Sequence, residues 1–141
     1  MGERMEGLAR LCREFGVEIL YVFGSRAGEV REWLAGLRQE LAAGPADVDV
    51  GVKMPAGGPF PVREKVRLAQ ALEDLFGVNR VDLVSLEEAD PFLAANVIRG
   101  ERLYALDDYQ ADEYDLYILR RAGDLAPLER ERIALILGKE P

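Results

Sequence analysis

The sequence predicts a small α/β domain: a mixed sheet of three to four strands flanked by helices, with further helices at the C-terminal end. Short β-prone apolar runs, at 17–23, 47–53 and 80–86, alternate with stretches of helical period. Glycine or proline stands at most junctions between them. The 141 residues show no repeat, low-complexity tract or linker, so they make one domain able to bury its own core. The main body of that domain spans about 1–106, and the C-terminal helices about 107–138.

Met5, Leu8, Leu11, Cys12 and Phe15 share a helical face, and Gly16 supplies a stop. The first strand follows over 17–23. Val30, Trp33, Leu34, Leu37 and Leu41 recur at i, i+3, i+4, i+7 and i+11. That stripe predicts a helix over 29–43, burying Trp33, Leu34 and Leu37 and ended near Gly44-Pro45. The second strand covers 47–53. Pro55 to Pro61 is a loop on its turn chemistry. Val62 to Phe76 is helical, with Gly77 at its C-terminal position. The third strand is 80–86. The stretch 87–98 is helical in pattern, with Pro91 marking a first-turn position or a second start, and 102–106 is a short edge strand. From Tyr109 the pattern predicts two helices broken near Asp124 and Pro127. Cys12 reads as a small buried hydrophobe and Trp33 as core.

Composition excludes several kinds of chemistry. There is no histidine, so a Ser–His–Asp triad, a histidine base and a His-ligated metal are all ruled out. A net charge of −8 argues against a broad nucleic-acid surface, which needs many Lys and Arg against phosphates. No apolar run is long enough to span a membrane, and no signal-peptide pattern opens the chain. A single cysteine fits a cytoplasmic location.

Two stretches carry the chemistry. Phe23-Gly24-Ser25-Arg26 takes a buried strand into a helix start, where backbone N–H groups and a small hydroxyl face an anion. Glycine there leaves out the Cβ that would hold a phosphate away. Asp47 and Asp49, two apart on a strand, share one face. Such paired carboxylates can ligate Mg²⁺, a hard ion that prefers oxygen. Asp82 interrupts the apolar run Val81-Asp82-Leu83-Val84, where an unpaired buried carboxylate is costly and a bound cation would relieve the cost. A phosphate cradle followed by paired carboxylates reads as a site for nucleotidyl transfer.

These three motifs, with Val97-Ile98-Arg99-Gly100-Glu101-Arg102-Leu103-Tyr104 downstream, resemble the minimal nucleotidyltransferase (MNT) family of the DNA-polymerase-β-like superfamily. The resemblance covers roughly residues 1–106. It implies a nucleotidyltransferase-like fold, with Asp47, Asp49 and Asp82 as catalytic residues holding two Mg²⁺ ions. Gly24, Ser25 and Arg26 would bind the nucleotide's phosphates, with ATP as the substrate. One departure stands out: 21 residues separate Ser25 from Asp47, against about ten in the family. A longer helix before Gly44-Pro45 absorbs the surplus without moving Ser25 relative to the carboxylates.

By the same resemblance, the function is an antitoxin that transfers AMP to a tyrosine of a HEPN-type ribonuclease toxin. An antitoxin that acts by binding alone, or transfer to a small molecule, are the competing readings. The three aspartates favour the enzyme over the pure binder. Small-molecule enzymes of this kind carry a larger acceptor domain. The C-terminal helices either dock the toxin or a second copy of the chain, or cover one face of the sheet.

Overall fold

The computed structural model describes residues 2–42, 47–56 and 58–138. Among the described residues nine elements follow in order: α1 (Glu3–Phe15), β1 (Ile19–Phe23), α2 (Ala27–Leu34), β2 (Val48–Lys53), α3 (Val62–Phe76), β3 (Val81–Ser85), α4 (Pro91–Ile98), β4 (Glu101–Ala105) and α5 (Asp108–Ile136). The strands form one mixed sheet in the order β3-β2-β1-β4. β1 runs antiparallel to both β2 and β4, while β2 and β3 are parallel. β4 is an edge strand, as its sequence predicts.

Strand alternation sorts the core into two layers. Leu20, Val22, Val48, Val50 and Val52 face one way, against Leu8, Cys12, Val30, Trp33, Leu68, Leu72 and Phe76 of the first three helices. Ile19, Tyr21 and Phe23 face the other way, against α4 and the first half of α5. Gly51 explains how closely α4 lies on the sheet. A Cβ at that position would fall 2.4 Å from a Val97 methyl. Trp33 packs edge-on to Phe76 at 5.8 Å, with the Arg4 guanidinium 4.6 Å from its ring centre. Cys12 is fully buried, and desolvation pushes its thiol up to about 12, which leaves it inert as a nucleophile.

Helix ends follow local chemistry. Gly16 and Gly77 close α1 and α3 in the left-handed conformation. Asp90 accepts from the N–H groups of Phe92 and Leu93, and Pro91 takes the first-turn position of α4.

Two predicted elements need correction. The helix expected over 29–43 ends at Leu34. Gly36 adopts φ +80°, its N–H donates to Trp33 O, and Leu37 N–H donates to Glu32 O. That pair of bonds is a Schellman stop, which overrides the apolar stripe. Leu37 is therefore exposed, whereas Leu41 reaches the core from the loop. Arg4 holds this loop by donating to the carbonyls of Trp33, Arg38 and Gln39. The end expected near Gly44-Pro45 lies outside the described residues.

The second correction is α5, a single 29-residue helix that runs through Pro127. Proline removes the N–H that would bond the Gly123 carbonyl. Gly123 and Pro127 are both exposed, so water can replace the bond and the helix continues. Among the described residues no helix is long and apolar enough to cross a membrane.

Candidate active site

Of the sequence-predicted residues, Gly24, Asp49 and Asp82 come together at one end of the sheet. Phe23, the last residue of β1, pairs with Asp49 across the antiparallel ladder. Asp49 is in turn the register partner of Asp82 on β3. Strand parity puts Asp49 and Asp82 on the same face, the one that α4 covers further along the sheet. Asp47 immediately precedes β2, and its carboxylate lies 3.4 Å from Nε of Arg80.

Gly24 leaves β1 at φ +76° and turns the chain toward α2. A Cβ there would sit 2.5 Å from Oδ2 of Asp49, so the bare backbone of the predicted phosphate turn abuts the central carboxylate. Ser25 is exposed beside it, in the turn before α2. Replacing Gly24 with alanine is expected to force the carboxylate aside and to strain the left-handed backbone by about 1–2 kcal/mol. Denaturant unfolding would register the strain, and nucleotide transfer should fall by more than that stability loss explains.

Electrostatics single out Asp49. Its pKa is raised, first by desolvation, then by the neighbouring charges of Asp82 and Asp47. A half-buried carboxylate crowded by two others is a place where a cation would be stabilising. The donor set is all carboxylate oxygen, which suits a hard divalent ion such as Mg²⁺. Among the described residues no three such side chains already converge to hold an ion, since Asp47 is drawn toward Arg80. The residues fit the ion in chemistry and in their shared end of the sheet.

Arg26 is the N-cap residue of α2. It is nearly buried, with its guanidinium bonded to both carboxylate oxygens of Glu29 and to the Ala42 carbonyl. Glu29 also accepts from the Ala42 N–H at 2.6 Å, and its bond from Arg26 holds its carboxyl below the usual range. The pair grips residue 42 on both sides and anchors the long segment between α2 and β2. That segment also forms a wall of a polar cavity with Gly77, Val78 and Asn79. Sequence motifs could not show this role, because the partner lies 16 residues away in a loop.

Lys53 lies at the opposite end of β2, paired with Glu18 at 2.6 Å and 5.4 Å from the Tyr114 ring centre. It takes no part in the aspartate site.

The Polymerase beta, Nucleotidyltransferase family profile matches residues 6–109, most of the chain. The chain belongs to that family. It is also similar to a solved minimal nucleotidyltransferase at 33% identity, covering 70% of this chain and 86% of the other, with a TM-score of 0.50. A toxin–antitoxin structure with AMP-PNP aligns at TM-score 0.70 and 18% identity, over 94% of this chain and 98% of that one. A complex of a tri-AMPylated Shewanella oneidensis HEPN toxin with its MNT antitoxin aligns at 0.67 and 18%, over 95% and 96%. At such identity these last two show the shared fold. No curated protein matches the sequence significantly.

Proposed function

We propose that this protein is an Mg²⁺-dependent nucleotidyltransferase that moves AMP from ATP to a tyrosine hydroxyl of a HEPN-type toxin, and so acts as its antitoxin. The observation that carries the reading is the pairing of Asp49 with Asp82 beside the bare backbone of Gly24. The family match supports nucleotidyl transfer, and the structural neighbours support the partner and the adenylyl group.

Asp47, Asp49 and Asp82 would hold two ions. Bound there, Mg²⁺ supplies charge neutralisation for the triphosphate and eases ionisation of the attacking hydroxyl. The chain's own residues do the rest. The Gly24 backbone and the Ser25 hydroxyl orient the β- and γ-phosphates, which leaves the α-phosphorus facing the carboxylates. The acceptor hydroxyl loses its proton to solvent as its oxygen bonds that phosphorus, the bridge to the β-phosphate breaks, and pyrophosphate leaves.

Mass spectrometry of the co-expressed partner after incubation with Mg²⁺ and each nucleoside triphosphate tests this. The expected result is an increment of AMP on the partner, with ATP only. A partner that is neutralised without any mass change would support the binding-only reading instead. The exposed apolar end of α5 is the observation in favour of that second reading.

A further inference from the structure

We infer that Arg99 is the cation that holds the triphosphate tail at this site, the place that the FGSR motif suggests for Arg26. The inference rests on the nucleotidyltransferase reading above. Arg26 is committed to Glu29 and Ala42, so its charge serves the loop. Two other arginines near this end of the sheet are also engaged, Arg31 with Glu101 at 3.4 Å and Arg80 with Asp47 at 3.4 Å. Among the described residues Arg99 makes no ion pair or side-chain hydrogen bond, and it is exposed.

Gly100 puts Arg99 in position. A Cβ on Gly100 would lie 2.3 Å from the Val22 carbonyl oxygen and 2.9 Å from Phe23 Cα, so the chain is pressed onto the end of β1. Arg99 is one residue away, a step of about 3.8 Å. Gly24, the phosphate turn, is the residue after Phe23. The 99–100 backbone therefore meets β1 one residue before the cradle. α4 also lies on the Asp49 and Asp82 face, because Val97 of this helix covers Gly51 of β2. Arg99, at the end of that helix, is thus on the carboxylate side of the sheet. A long, flexible stem with a planar, permanently charged head suits the β- and γ-phosphates, which it can meet with paired bonds.

The plainer explanation is a helix-ending cation. Arg99 is the C-cap of α4, where positive charge opposes the helix dipole. The two roles differ in what they respond to. A capping arginine changes stability and treats all nucleotides alike, whereas a triphosphate ligand distinguishes ATP from AMP.

Titration calorimetry of the full chain with Mg²⁺–ATP and with AMP tests this on wild type, Arg99→Ala and Arg99→Lys. The expected result is about tenfold or greater weakening of ATP binding in Arg99→Ala. AMP affinity should be unchanged, Lys should restore part of the loss, and the melting temperature should move little. Unchanged ATP affinity in Arg99→Ala, or equal weakening of ATP and AMP, would overturn the assignment. Wild-type protein that binds no triphosphate would overturn the proposed function and this assignment with it.

Discussion

Replacing Asp49 with asparagine is expected to lower AMP transfer by about two to three orders of magnitude or more, while making the metal-free protein more stable. The two effects have one cause. In the folded protein Asp49 is partly desolvated and faces the charges of Asp82 and Asp47, so its pKa is raised. A carboxyl with a raised folded pKa opposes folding once it ionises. Its penalty is absent below the unfolded value of about 4. It grows as pH rises through that value toward the folded one, and stays in full above. Asparagine removes the penalty. In chelator, the melting temperature of Asp49→Asn should therefore exceed wild type near pH 7, with the gap closing below about pH 4. With Mg²⁺ and ATP the order should invert, because wild type gains stability from ligands that the variant binds poorly. A variant less stable than wild type under both conditions would assign Asp49 to the fold.

Cutting the chain after Leu106 is expected to unfold the protein, whereas cutting after Gly123 should leave it folded. The first half of α5 completes one layer of the core: Ala111, Ile118 and Ala122 are buried against the face that carries Ile19, Tyr21 and Phe23. Tyr21 donates its hydroxyl to Asp115, and Arg102 bridges Asp115 at 3.0 Å and Asp112 at 2.8 Å. Loss of the helix would expose a fully buried tyrosine and strand Arg102. Each large apolar side chain exposed costs about 1.5–3 kcal/mol, and a domain is stable by only about 5–15 kcal/mol. Beyond Gly123 the situation reverses. Leu128, Leu135, Ile136 and Leu137 are each more than 60% exposed, so removing them uncovers little of the core. Thermal unfolding of the two truncations, followed by partner capture with the shorter cut, separates support of the fold from docking.

Much of the architecture could be read from periodicity and punctuation. β1, β2 and β3 are short apolar runs with few competing readings, and Gly16 and Gly77 take the left-handed conformations that their positions imply. The two elements that differ from the sequence pattern do so for opposite reasons, a stop signal that prevails in one and a break signal that does not in the other. In the stripe from Val30 to Leu41, hydrophobic spacing outweighed Gly36, yet the glycine stop prevailed once Arg4 had carbonyls to hold. At Pro127, the proline was read as a break, but an exposed helix can hand one lost bond to water.

The sequence by itself determined which residue types could act: no histidine, three aspartates on β-prone runs, and a glycine–serine turn after a strand. Strand parity led it to expect Asp47 and Asp49 on one face, but the strand starts only at Val48 and Asp47 lies against Arg80. What it could not contain was anything that depends on which strand lies beside which. The parallel register of β2 and β3 brings Asp82 level with Asp49, and the packing of Gly24 against the Asp49 carboxylate needs that same sheet. The fate of the arginines was tertiary for the same reason. Arg26 was claimed by a loop 16 residues away, and Arg99 was brought beside β1 by a glycine pressed onto Val22. A motif specifies chemistry over a few residues, whereas charge partners are assigned by contacts distant in sequence, and those exist only after the chain has folded.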